Sequence, residues 1–418
     1  MKIAVIGAGI IGVTTAYELA CDGHQVQVLE RRGAAAEEAS FANAGLVAPG
    51  YLLPWDGPGM PGRVFGSMFS RHAPMKIGLP LSGRDLLWMW NFYRACKPAA
   101  YLAHRSRLHQ LAIYSRERLY NISAELKLKY ERSAGYLVLL RSPRDSKMMQ
   151  PGLDVLRGAG VAFKELTAAD ARKIEPALNS DMVFHGAIHL PEDEVANCRQ
   201  FALMLKNEAQ RRNVEFAFNT TVTDVNRNGS MVALGIAGEN TLRSFDAAVI
   251  CAGVDSVRLL EPLGLKIPLT AIHGYSISAA IREPINSPAS AIMDEHYKVT
   301  ISRLGNRVRV AGGAELGGPT ERKRLGTLQT LYKVLHDWFP GCANLSSGVQ
   351  EWKGARPVLP NGIPMIGATG IAGVWLNLGH GSNGWALSCG SARIVSDLIG
   401  GKKPGLDAVD FAASRLRA

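Results

Sequence analysis

Gly7, Gly9 and Gly12 stand at G-x-G-x-x-G spacing, and Glu30 follows eighteen residues after the last of them. Those residue types in that order suit a dinucleotide. The first glycine permits a tight turn, the second lets backbone approach a pyrophosphate, and the third lets a helix pack closely on a strand. Free amides at the helix start, aided by its dipole, then face the phosphates. A carboxylate closing the next strand binds both ribose hydroxyls and repels a 2′-phosphate, which disfavours NADP. On these residues alone, NAD and FAD both stay open.

The elements needed to position them can be read around the motif. Lys2 to Ile6 is a short, β-branched apolar run, as in a strand buried on both faces. Val13 to Cys21 reads as a helix, and Gln25 to Leu29 as a second strand closed by Glu30. An NAD dehydrogenase would continue alternating strands and helices from here. Instead "SFANAGLVAPGYLLPWDGPGMPG" follows, a shaped loop rich in glycine and proline. Residues 83–131 read as mostly helical, including "LLWMWNFYRACKPAAYLAHR". That stretch fits a core-facing helix pair and also a membrane-surface or substrate-entrance element.

Further along, "GYLVLLRS" reads as a strand and "NCRQFALMLKNEAQRRN" as a helix. "VEFAFNTTVTDVNRNG" and "MVALGIAG" alternate about an Asn-Gly turn signal. "FDAAVICAGVDS" contains another buried strand, and residues 267–281 and 297–311 alternate like an antiparallel sheet. "GVWLNLG" adds a strand before a helix from Trp385 to Ile399. Parallel-type strands thus resume near 215 and 245 after a long insertion. The expected fold class is α/β with an α+β second domain. A discontinuous Rossmann-type domain is expected over 1–50, 190–265 and 346–418. A substrate domain with a mixed or antiparallel sheet and helices is expected over 51–189 and 266–345.

The chain of 418 residues is long enough for two cores. No run approaches the ~20 apolar residues that span a bilayer. The first residues already form the nucleotide strand, so no secretory leader is expected. Six cysteines lie scattered without a C-x-x-C, which suits reduced thiols in the cytoplasm. The net charge of +11 is dispersed, with no lysine-rich run or nucleic-acid motif. Anionic substrates, or contact with an anionic membrane surface, are therefore expected rather than nucleic acid. His185 and His189 have the spacing of helical metal ligands, but "HGAIHLP" reads as strand and turn. No metal is expected there.

Taken together, the opening unit, "SFANAGLVAPGY", "LPEDEVANCRQF", "MDEHYKVTISR", "GARPVLPNGIPMIG" and "LGHGSNGWALSCGSARIVSDLI" carry a resemblance over essentially the whole chain. The sequence resembles the FAD-dependent amino-acid oxidoreductases related to D-amino-acid oxidase, glycine oxidase and sarcosine oxidase. Within that family it is most similar to bacterial enzymes that dehydrogenate D-amino acids. The resemblance implies FAD, with Gly7, Gly9, Ile10, Ile11 and Gly12 at the pyrophosphate and Glu30 and Arg31 at the adenosine ribose. Val222 would meet adenine through its backbone, and Ala252 and Gly253 would pack near the pyrophosphate. Asn43, Ala44, Gly45 and Leu46 would line the ribityl and ring region, with Gly354 a further cofactor contact. Gly379, Gly381, Ser382, Asn383 and Gly384 form a glycine-rich turn opening a helix. Its free amides would stabilise negative charge on the reduced ring. The stretch after Arg356 lacks the cysteine that tethers flavin in sarcosine oxidases, so the FAD is expected to be noncovalent.

The implied chemistry is oxidative deamination of a D-amino acid to a 2-oxo acid and ammonia, by hydride transfer from Cα to flavin N5. Arg356 matches the arginine that clamps the substrate carboxylate in related oxidases, where a planar fork gives two parallel hydrogen bonds. Tyr275 and Tyr297 are expected on the substrate sheet, and His380 at the flavin edge, chiefly through its backbone. Electrons would pass to a quinone or another non-oxygen acceptor. The same machinery also suits a cyclic D-imino acid such as D-proline, or an oxidase that uses oxygen. An NAD dehydrogenase and a flavin carrier without turnover are the readings from other classes.

Overall fold

A computed structural model describes residues 1–52 and 72–413. The glycine- and proline-rich stretch therefore lies outside the described residues from residue 53 onward. One sheet has six strands, in the order Met365–Ala368, Val374–Leu378, Ala247–Ile250, Lys2–Ile6, Gln25–Leu29 and Glu215–Ala217. Neighbours run parallel except the first pair, which is antiparallel. Successive side chains of a strand point to opposite faces. Ile3 and Val5 accordingly pack with the helices Ile10–Cys21, Cys198–Arg211 and Gly384–Ile399. Ala4 and Ile6 pack on the other side against Val225, Leu234 and Phe245. These belong to a small antiparallel sheet of Val222–Asn228, Met231–Ile236 and Arg243–Phe245. Both faces are thus covered, which explains the uninterrupted apolar runs.

The turn between the first strand and its helix shows why glycine is needed. Gly7 has φ of +104°, and a Cβ there would meet the carbonyl oxygen of Cys251 at 2.6 Å. A Cβ on Gly12 would sit 1.8 Å from the carbonyl oxygen of Gly7. Helix and strand therefore touch through backbone. The helix Pro98–Glu125, which belongs to the long insertion, docks here through charge. Glu18, fully buried, accepts from Arg118 at 2.6 and 2.9 Å and from Arg393 at 2.7 Å. A buried carboxylate held by two guanidiniums is costly to break.

The second sheet has ten strands. Its main path runs Gln350–Val358, Thr270–Ala280, Arg307–Gly317, Val299–Leu304, Ala291–Asp294, Arg132–Leu140, Gly186–Ala196 and Leu46–Val47. Ile277, Ile301 and Val310 on one face pack against Leu331, Val334 and Trp338 of the helix Leu325–Trp338. Three strands drawn from segments expected on the nucleotide side join this sheet: Leu46–Val47, the end of Gly186–Ala196, and Gln350–Val358. The last pairs antiparallel with Thr270–Ala280 along its whole length. Alternating residues satisfy either sheet, so the partner strand decides. His189 lies within Gly186–Ala196, and no group of His, Cys, Asp or Glu among the described residues could hold a metal.

Candidate active site

A cavity of about 820 Å³ opens where the carboxyl ends of the parallel strands meet the large sheet. Ile6, Leu29 and Leu378 end their strands on its wall, with Cys251 just beyond a fourth. Ligands of doubly wound sheets bind at this edge. The wall brings together Gly7, Gly9, Ile10, Ile11, Glu30 and Arg31 with Val222, Ala252 and Gly253. Asn43, Ala44, Gly45 and Leu46 line it as well, as do Gly379, His380, Gly381, Ser382, Asn383 and Gly384. Gly12, Gly354 and Tyr297 lie off it.

Two helix starts face this space. Gly9 caps Ile10–Cys21, whose Ile10 N–H donates to the Ser40 hydroxyl at 3.0 Å, and Asn383 caps Gly384–Ile399 without a side-chain hydrogen bond; neither helix has an acid in its first turn. Each therefore presents a positive dipole end. Glu30 is buried, and its two oxygens accept from the N–H of Ala8 at 2.6 Å and of Arg32 at 2.8 Å. Each carboxylate oxygen keeps a lone pair for a diol hydroxyl. Arg31 is braced by Glu38 at 2.8 Å and by Asp255. The carbonyl of Val222 accepts from Arg258 at 2.9 Å. Segment 43–46 is tied to the large sheet, since Ser302 donates to the Ala44 carbonyl at 2.7 Å and Arg309 to that of Asn43 at 3.1 Å. The residues expected at the adenosine, the phosphates and the ring thus line one continuous space.

Arg356 lines the same cavity. Its Nη1 donates to the Gly313 carbonyl at 2.9 Å, and its guanidinium lies against Gly274, where an added Cβ would meet Nη2 at 2.2 Å. Burial pulls its pKa down to about 10, so it stays cationic at neutral pH. Tyr275 also reaches the wall, but its hydroxyl donates to Glu315 and accepts from the Arg324 N–H at 3.3 Å. Glu315 is further paired with Arg324 at 2.9 Å and Lys353 at 3.2 Å. The phenol is committed to that cluster, and burial raises its pKa.

Two expectations, for Tyr297 and Gly354, need correction. Tyr297 is not on the sheet: the strand ends at Asp294, and residues 295–298 form a turn. Its ring packs between Arg141 and Lys333, 4.8 and 5.5 Å from its centroid, on the side away from the cavity wall. Gly354 makes room for protein instead of cofactor, since a Cβ there would meet the Trp352 ring at 1.9 Å. The His380 side chain is buried and shares a hydrogen bond with Ser391 at 3.0 Å. Burial holds its pKa down to about 3, so the imidazole is neutral.

The wall also carries residues that motif reading missed. Tyr51 and Lys298 both donate to the buried Glu295, and all three line the cavity. Trp352 lines it too. Tyr51 ends the "SFANAGLVAPGY" stretch, and Glu295 and Lys298 flank Tyr297. The signal available was a turn crowded with ionisable residues, but only the fold turns Glu295 inward.

A parallel sheet with a glycine-rich first turn, two helix starts and a guanidinium on one cavity are the arrangement expected of a flavin-type oxidoreductase. The family model for FAD dependent oxidoreductases matches residues 2–398. The chain belongs to that family, and FAD is its cofactor. It is 40% identical to the D-amino acid dehydrogenase of Cereibacter sphaeroides, over 100% of this chain and 96% of the relative. It is 39% identical to that of Bradyrhizobium diazoefficiens, over 99% of each. Among solved structures, glycine oxidase from Geobacillus kaustophilus matches with a TM-score of 0.78 at 21% identity, over 99% of both chains. L-proline dehydrogenase from P. horikoshii matches at 0.73 and 17%, over 100% of this chain and 97% of that one. These structural likenesses speak to the fold.

Proposed function

We propose that the chain catalyses FAD-dependent oxidative deamination of D-amino acids to 2-oxo acids and ammonia, passing electrons to a quinone or another acceptor other than oxygen. The named activity of the relatives supports the substrate class, and the dehydrogenase name supports the acceptor. The observation that carries the reading is a half-buried, cationic Arg356 on the wall of the cavity that the nucleotide motif also lines.

FAD, once bound without a covalent bond, supplies the two-electron acceptor. The chain's own residues bind and orient. Arg356 grips the substrate carboxylate, and Gly313 fixes the angle of its guanidinium. Trp352 and the Tyr275 ring limit the space for the side chain. Glu30, Arg31, Val222, Ala252 and Gly253 hold the adenosine half, Gly7 to Ile11 the pyrophosphate, and residues 43–46 the ring side. The start of Gly384–Ile399 supports negative charge with its amides. His380, neutral and hydrogen-bonded to Ser391, contributes backbone and no proton. All six cysteines are free, which fits a reducing compartment such as the cytoplasm.

Anaerobic bleaching of the purified flavoprotein against D-, L- and cyclic amino acids tests this reading. Bleaching by D-amino acids is expected, with Arg356→Ala needing far more substrate while keeping its flavin. Bleaching by L-isomers alone would refute it, and bleaching by cyclic imino acids alone would reassign the substrate.

A further inference from the structure

Two cations press on the backbone between Phe41 and Leu46. Arg309 stands on Arg307–Gly317, the strand whose Gly313 carbonyl holds Arg356, and on the face that carries Ala311 to the cavity wall. It is half-buried, and the protein around it pulls its pKa down to about 10, so it stays charged at neutral pH. Its Nε donates to the Ser278 hydroxyl at 2.9 Å and its Nη1 to the Asn43 carbonyl at 3.1 Å. Arg199, near the start of Cys198–Arg211, sets its guanidinium 4.4 Å from the centre of the Phe41 ring. Its buried Nε has no hydrogen-bond partner among the described residues.

Neither guanidinium forms an ion pair among the described residues, and Arg199 and Arg307 add repulsion at Arg309. Glu131 is the carboxylate whose field reaches Arg309, but it accepts from the Asn197 side chain at 2.7 Å. Desolvated cations held together in this way call for negative charge nearby.

Backbone geometry shows where that charge belongs. A trans peptide points its C=O and N–H in opposite directions. With the Asn43 carbonyl turned to Arg309, the Ala44 N–H points away from it, and both residues line the cavity. The next peptide is fixed as well. The Ala44 carbonyl accepts from Ser302 at 2.7 Å, and the Gly45 N–H donates to the Asn43 side chain at 3.0 Å. Gly45 has φ of +78°, and a Cβ there would meet the Ala196 carbonyl oxygen at 2.9 Å. The segment therefore has little room to shift. A charged donor on one end of a peptide also polarises the N–H at the other.

We infer that Arg309 is a positioning residue that acts through the Asn43–Ala44 peptide, and that with Arg199 it favours the reduced, negatively charged state of the flavin. The inference rests on the reading that residues 43–46 flank the ring. One strand then carries both the support of the carboxylate clamp and the support of the ring.

The test is the midpoint potential of the bound flavin, read on the anaerobic holoenzyme against a reference dye. Arg309→Met removes the charge and keeps most of the stem. It should lower the ratio of reduced to oxidised flavin at a fixed potential by about tenfold, or about 30 mV for two electrons. Arg309→Lys should restore most of that ratio, and Arg199→Met should shift it in the same direction as Arg309→Met. If Arg309→Met does not fold in a thermal melt, Arg199→Met and Arg309→Lys carry the test. Ala44→Val checks the underlying reading, because added bulk beside the ring changes the visible flavin spectrum. A changed spectrum in Ala44→Val with wild-type potentials in the arginine variants would overturn the inference alone. So would an equal loss in Arg309→Lys and Arg309→Met. An unchanged spectrum in Ala44→Val would remove residues 43–46 from the ring, and the inference with them.

Discussion

Gly274→Ala tests the carboxylate clamp without changing the clamp itself. The added Cβ would lie 2.2 Å from Nη2, 2.3 Å from Cζ and 2.7 Å from Nη1 of Arg356, where ordinary contact begins near 3.4 Å. The guanidinium must then retreat by about 1.2 Å. It cannot do so freely, since Nη1 is held by the Gly313 carbonyl at 2.9 Å. A shift of about 1 Å in a positioning group costs on the order of 100-fold in rate, or about 2.7 kcal/mol of transition-state stabilisation. Overpacking would cost the fold about 1–3 kcal/mol. The assay is kcat/KM for a D-amino acid with a dye acceptor, alongside FAD content after gel filtration and a thermal melt. We expect kcat/KM to fall by about 100-fold, mostly through KM, with FAD retained. Unchanged kcat/KM would show that the guanidinium does not touch the substrate. Loss of FAD in parallel would move Arg356 to the cofactor.

Glu30→Ala removes an acceptor from two backbone amides and from the ribose. FAD should bind about 10–100-fold more weakly, measured by release of free flavin on dialysis; undiminished retention would count against the ribose role. Tyr275→Phe loses a buried hydrogen bond to a carboxylate, so stability should drop by about 1.5–3 kcal/mol while KM barely changes. A large rise in KM with an unmoved Tm would instead return the phenol to the substrate. Asp193 is buried, holding the Gly50 N–H at 3.0 Å, and desolvation pushes its carboxyl from 3.8 up to about 7. The folded state therefore binds this proton more tightly than the unfolded state, and wild-type stability should decline as pH rises between those two values. Asp193→Asn keeps the Gly50 contact without the ionisation. At about 1.4 kcal/mol per pKa unit, its advantage in thermal melts should grow to a few kcal/mol over that interval and level off above it. A Tm difference independent of pH would refute the assignment.

What the sequence determined here is local. Gly7, Gly9, Gly12 and Glu30 declare their unit because turn, helix and strand form between residues a few positions apart. The Asn228–Gly229 turn and the helix after Asn383 are legible for the same reason. A buried parallel strand also needs a continuous apolar run, so Lys2–Ile6 and Ala247–Ile250 could be read directly. The tertiary structure decided everything that depends on partners far along the chain. Whether Gln350–Val358 joins the nucleotide sheet or the large one rests on its pairing with Thr270–Ala280, which alternation does not encode. The Tyr275 hydroxyl is claimed by Glu315, forty residues away in sequence, so its type alone suggested a substrate contact it is not placed to make. Tyr297 went astray because a strand that stops at Asp294 moves the next residues into a turn. The Tyr51, Glu295 and Lys298 cluster arises from two distant segments brought to one wall. Side-chain direction reverses with each residue of a strand, and partner choice is non-local, so motifs located the site while packing chose which groups face it.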